Sequence, residues 1–119
     1  MIKKEDFEKF AKENDEYRAA LPNILTGVFS KDYFGTGDNF ENGNGNREHI
    51  YFIPFGIIFD SNPIVHVGLT GFDLSKNSNQ RLVVSVNAID RHGFHAKFET
   101  WNDTKIYHVS INWIAFKNN

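Results

Sequence analysis

"GFHAKFETWNDTKIYHVSINWIAF", residues 93 to 116, decides the fold. Successive side chains of an extended strand point to opposite sides of a sheet, so each half of this stretch can be split into two faces. In the first half Phe94, Ala96 and Phe98 point in, while His95, Lys97, Glu99 and Trp101 point out. In the second, Tyr107, Val109, Ile111, Trp113 and Ala115 share one face and His108, Ser110 and Asn112 the other. The polar run between the halves reverses the chain. This reading assigns Trp113 to the core and leaves Trp101 on the polar face.

The same period of two extends outward from this pair. In "RLVVSVNAI", residues 81 to 89, Leu82, Val84, Val86 and Ala88 form the expected core face, opposite Arg81, Val83, Ser85 and Asn87. In "IVHVGLTGF", residues 64 to 72, Val65, Val67 and Leu69 oppose His66, Gly68 and Thr70. "DLSKNSNQ" joins these two strands as a polar loop, "DRHG" is a tight turn, and "NILTGVFS" is a further strand near the start. "GTGDNFENGNGNREH", residues 35 to 49, reads as a long polar loop of the kind that often carries function. Residues 3 to 21 differ: Phe7, Phe10, Ala11, Tyr17 and Leu21 recur at steps of three and four among dense charge, which predicts an amphipathic helix ending at Pro22. The expected organisation is an N-terminal helix over 1–22, packed on the assembly or free to bind a partner, followed by an all-β antiparallel sandwich over 23–119.

The totals agree with one such domain. A chain of 119 residues has room for a single modest core, and 15% aromatic residues with a single Met favour strands over a Leu-rich bundle. A formal charge of -2 gives no electrostatic reason to expect nucleic acid or an anionic membrane as partner. The absence of Cys excludes disulfides, thiol chemistry and thiolate zinc sites. No apolar run has signal-peptide or membrane-spanning length, so the expectation is a soluble protein without membrane insertion. The expected location is cytoplasmic, or outside the cell by a route without a signal peptide.

An indole on an outer face at a strand end is more often rim packing or an oligomer contact than a ligand site. Its neighbours favour the second reading. "WNDTK" supplies amide, carboxylate and hydroxyl groups, Tyr107 stands across the turn, and Arg81 begins an adjacent strand. An aromatic plate, a phenol and a guanidinium around one turn suit a neutral, hydroxyl-rich ligand, whose apolar face can pack on the ring while its hydroxyls meet directed donors and acceptors.

The stretch from about Ile50 to Phe116 resembles the H-type lectin domain family, through "FIPFGIIFDSNPIVHVGLTGFDL", "QRLVVSV" and the ungapped final block. The resemblance implies a six-stranded antiparallel β-sandwich forming a homotrimer or hexamer. It also implies clefts between subunits that bind galactose or N-acetylgalactosamine-type sugars on glycoproteins or cell surfaces, for adhesion or agglutination. By the same resemblance, the stacking Trp falls on Trp101, the hydrogen-bonding Tyr on Tyr107 and the strand-start Arg on Arg81. The residue after the Trp, commonly His or Asp in the family, is Asn102 here. The family's remaining element, an acidic or amide side chain with a nearby Gly contributed by a neighbouring copy, falls within "NGNGNR". Asn44 is nearest in register there, with Gly43, Gly45 and Asn46 as rivals. No cofactor is implied, and a structural calcium ion is left open.

Other chemistries have weaker footing. His92 and His95 flank a turn without a third ligand at suitable spacing. The Gly-Asn loop lacks the lysine and the strand-to-helix context of a phosphate loop. No nucleophile, base and orienting group converge, and a glycosidase would have only Glu99 and Asp103 near Trp101, with Asp103 more simply read as capping its turn. The competing reading from another class is a structural or receptor-binding tip module with a decayed sugar site.

Overall fold

The computed structural model describes residues 3–6 and 23–118. Residues 4–6 are helical, and the rest of the amphipathic stripe, from Phe7 to Leu21, lies outside the described residues. The remainder is a β-sandwich of six strands: β1 (Ile24–Asp32), β2 (Arg47–Pro54), β3 (Ile64–Leu74), β4 (Val83–Ile89), β5 (Gly93–Thr100) and β6 (Ile106–Phe116). One short helix, α1 (Asn39–Asn42), lies between β1 and β2. All pairings are antiparallel, in two three-stranded sheets ordered β1-β6-β3 and β2-β5-β4. Among the described residues no helix is long and apolar enough to cross a membrane.

The central strands, β5 and β6, are the two whose alternation is cleanest in the sequence. Phe94, Ala96 and Phe98 of β5 and Val109, Ile111 and Ala115 of β6 are fully buried between the sheets. Trp113 joins them, 5.7 Å from the Phe94 ring and 5.8 Å from that of Phe55. Its indole occupies space that β1 leaves open. Gly27 pairs with Trp113 in the register, and a Cβ on Gly27 would lie 2.3 Å from indole Cζ2. A glycine in a strand often marks such a close approach.

Strict alternation fails where a strand carries an extra residue. In β4 the register shifts between Val86 and Ala88, which places exposed Ala88 opposite His95 on the outer face and turns Ile89 toward Phe94. Ala88 therefore does not belong to the core face expected from the sequence, and Ile89 replaces it. In β6 the shift falls at Tyr107: Ile106 becomes fully buried, and Tyr107 is left half-buried at the end of the sheet. Leu69, expected inside, precedes another shift on the edge strand β3 and is exposed. A bulge leaves its extra residue unpaired and re-aims the side chains beyond it.

The expected polar loop of residues 35–49 also contains more structure than its composition suggests. Asp38 caps α1 by accepting the Phe40 N–H at 2.8 Å, and Phe40 is fully buried. Beside it His49 Nε2 meets Asp38 Oδ1 at 2.8 Å, and the imidazole stacks on Tyr33 with ring centres 5.4 Å apart. Strand β2 starts at Arg47, inside the stretch read from the sequence as loop. Its inward positions are Arg47, His49, Tyr51 and Ile53, whose register partners are Thr100 and the buried Phe98, Ala96 and Phe94.

Candidate functional site

The candidate residues gather at the end of the sandwich where β5 runs out and β6 begins. Trp101, the first residue past β5, is 37% exposed. Asn102 follows with φ of 56°, the left-handed region that asparagine tolerates better than most residues. This conformation aims the Asn102 carbonyl back at the loop before β2. There it accepts the Gly45 N–H and Arg47 Nη2, each at 2.9 Å.

Arg47 is the organising group of this end. Its side chain packs beneath the loop, only 8% of the residue is exposed, and it donates to three main-chain carbonyls. Nε reaches Gly45 O at 3.0 Å, Nη1 reaches Asn39 O at 2.8 Å, and Nη2 reaches Asn102 O. Burial draws the guanidinium below its usual range and Asp103 partly opposes this, but an arginine remains charged at neutral pH. Lys105 adds a fourth tie, Nζ to Gly43 O at 2.7 Å. The Asn-Gly loop is thus joined to the Trp101–Asn102 turn within one chain.

This frame distinguishes the loop candidates. A Cβ on Gly43 would lie 2.2 Å from Asn39 O, so glycine there permits the close return after α1. Gly45 has φ of 78° and its N–H is also accepted by Asn44 Oδ1 at 2.7 Å. The side chains of Asn44 and Asn46 belong to exposed residues. Arg81 approaches from the other side, with Nη1 donating to Asp103 Oδ1 at 3.0 Å and to Thr104 Oγ1 at 3.4 Å. Asp103, read from the sequence as a turn cap, holds this guanidinium. The buried hydroxyls of Thr100 and Thr104 donate to Arg81 O and Asn79 O, each at 2.6 Å, which ties the loop before β4 to the same turn.

Two open depressions flank the turn. Trp101 lines the first, of about 530 Å³, with Asn46, Glu48 and Glu99. Its floor continues onto the outer face of β5, where Lys97 is paired with Glu99 at 2.7 Å and Glu48 at 3.2 Å. Tyr107 lines the second, of about 510 Å³, with Phe34, Glu41, Asn42, Asp103 and Lys105. The structure therefore brings Trp101, Asn102, Arg81 and the Asn-Gly loop to one turn, with Trp101 lining the first depression beside it and Tyr107 the second. Among the described residues no group of three or more His, Asp or Glu is placed to hold a metal ion.

Sequence reasoning did not single out Arg47, Lys105 or Phe34. A signal existed for Arg47: it opens the inward series of β2, where a cation must find carbonyls.

Comparison with known proteins bears on this geometry. The profile of the H-type lectin domain matches residues 50–116, more than half of the chain. The chain belongs to the H-type lectin domain family. A relative described as ATP synthase subunits region ORF 7 of Fuscovulum blasticum is 35% identical over 82 residues, 69% of this chain and 71% of that protein. A discoidin-1 polypeptide of Dictyostelium discoideum is 34% identical over 100 residues, 83% of this chain and 40% of its own length. The solved structure of recombinant discoidin II from the same organism superposes with a TM-score of 0.69 at 28% identity, over 84% of this chain and 39% of discoidin II. This lectin domain thus spans about two fifths of the discoidins, and its family is one of carbohydrate binders. The sandwich implied by the sequence resemblance is the one observed.

Proposed function

We propose that this lectin domain is a non-enzymatic binder of terminal galactose or N-acetylgalactosamine-type sugars, acting through several sites at once. The observation that carries the reading is the Trp101 indole, exposed at the lip of an open depression beside amide and carboxylate side chains. The apolar face of a pyranose stacks on the ring, and its hydroxyls bond Asn102, Arg81 and Tyr107. Arg81 keeps donors free for this role, since only its Nη1 bonds to a side chain. No metal takes part in the reading.

In this proposal a neighbouring copy completes the site in a trimer or hexamer. Both depressions are open, and Ile50, Phe52 and Val83 are exposed on the outer face of sheet β2-β5-β4, whose central strand leads into Trp101. Apolar side chains grouped on an outer face favour contact with another copy of the chain. The exposed amides of Asn44 and Asn46 are the parts of the loop a neighbour would present, since Gly43 and Gly45 serve the internal frame. A neutral amide in place of a charged acceptor weakens each contact. A single shallow sugar site gives a Kd on the order of millimolar to micromolar, and linked sites raise this to useful adhesion or agglutination.

A glycan array probed with the purified protein and with Trp101→Ala tests the reading. Wild type should bind terminal galactose-type glycans, and the variant should lose most binding with its fold and oligomer intact. Absence of any wild-type signal at high concentration would favour the structural tip module with a decayed site. A fully active monomer, detected by sedimentation, would refute the shared cleft.

A further inference from the structure

Phe34 is the most exposed aromatic among the described residues, at 75%, although Tyr33 before it is almost completely buried. Such a ring is usually mobile, but this one is held. The Tyr107 carbonyl accepts both the Tyr33 N–H at 2.8 Å and the Phe34 N–H at 3.2 Å. The Phe34 ring stands edge-on to the Tyr107 ring, with centres 5.4 Å apart and planes at 84°. That arrangement is one of the favoured aromatic geometries and leaves a face of Phe34 free.

Directed polar groups surround the ring. The Glu41 carboxylate accepts the Gly35 N–H through one oxygen and the Gly37 N–H at 3.2 Å through the other, which fixes it at the mouth of the depression. Asn42 provides an amide, and Lys105 is fixed by its bond to Gly43 O. The Ser78 hydroxyl lines the same depression, is shielded from solvent, and has no hydrogen-bond partner among the described residues. A buried polar atom without a partner is uncommon in a folded protein and calls for one. The volume, about 510 Å³, lies in the range of small-molecule sites.

We propose that the depression between Phe34 and Tyr107 is a second sugar subsite, so that the preferred ligand is an oligosaccharide whose inner residue stacks on Phe34 and bonds Ser78. This rests on the lectin reading above, in which Tyr107 bonds the terminal sugar. Tyr107 then joins the two subsites, its hydroxyl serving the first residue and its ring backing the platform for the next. Glu41, Asn42 and Ser78 offer acceptors and donors to the hydroxyls of the inner residue.

The test compares the methyl glycoside of N-acetylgalactosamine with di- and trisaccharides ending in the same sugar, titrated into wild type, Phe34→Ala and Phe34→Trp. Wild type should bind the longer ligands about fivefold to a hundredfold more tightly, the scale of one aromatic contact with one hydrogen bond. Phe34→Ala should abolish that gain with the affinity for the monosaccharide unchanged, and Phe34→Trp should keep it. A gain that survives in Phe34→Ala overturns the subsite, as does an equal loss for short and long ligands. A change in oligomer mass on sedimentation of Phe34→Ala also overturns it by assigning Phe34 to a contact between copies. If wild type binds neither ligand, the lectin reading falls and the subsite falls with it.

Discussion

Replacing Asn102 by Gly and, separately, by Ala divides the work of its backbone from that of its side chain. At φ of 56° the residue is in a region that costs most L-residues about 1–2 kcal/mol and glycine nothing steric. Its carbonyl accepts two hydrogen bonds at 2.9 Å, so the turn cannot leave this conformation without breaking both. Asn102→Ala should therefore reduce the free energy of unfolding by about 1 kcal/mol, and Asn102→Gly by no more than about half as much. Both variants lack the amide proposed to bond the sugar. One neutral hydrogen bond is worth about 0.5–1.5 kcal/mol, which is roughly twofold to tenfold in Kd. The assay pairs urea unfolding, followed by tryptophan fluorescence, with titration of N-acetylgalactosamine. Equal loss of affinity in both variants with unequal loss of stability is the expected pattern. A Gly variant that binds like wild type would show that Asn102 serves only the backbone. Equal stability of the two variants would refute the strain argument.

Further expectations concern the frame and the core. Arg47→Ala removes bonds to Asn39, Gly45 and Asn102 carbonyls and should cost about 3 kcal/mol in urea unfolding together with sugar binding; Arg47→Lys should not rescue it, because an ammonium cannot span the three acceptors. Gly27→Ala drives a methyl to 2.3 Å from the Trp113 indole and should cost about 1–3 kcal/mol, read as a lower unfolding midpoint. For Asp38, burial alone would raise the carboxyl, but the Phe40 N–H and His49 outweigh it and hold it below the ordinary value. The stability this contributes is present above the unfolded aspartate pKa of about 3.9 and is lost as pH falls through the lower folded value. Unfolding midpoints measured against pH should show that acid limb reduced in Asp38→Asn.

Much of the fold was legible because the two strands richest in signal, β5 and β6, are central in their sheets. Burial on the inner face of a central strand forces the period of two, and Phe94 to Phe98 and Val109 to Ala115 follow it without exception. Legibility ended at the bulges. Nothing in "VSVNAI" marks Asn87 as the extra residue, so Ala88 and Ile89 exchange faces, and the extra residue at Tyr107 likewise brings in Ile106. In the Asn-Gly loop, composition concealed Phe40, because one buried ring among Gly, Asn and Asp has no period to reveal it. The turn that holds Trp101 was legible from parity, and the identity of its supports was not. Arg47 acts through carbonyls of distant residues, a contact that no local spacing encodes.

Arg47 grips only main-chain oxygens, a group that every residue type possesses. Substitution at Asn44 or Asn46 therefore leaves its bonds intact, and Asn102 is restricted only to residues that accept positive φ. For protein engineering this separates two problems usually solved together: a library varied at these positions would sample ligand preference on a frame that does not change with it. On the proposed lectin reading natural divergence can proceed in the same way, altering the sugar without rebuilding the turn, since the arginine bonds none of the side chains proposed to meet the ligand.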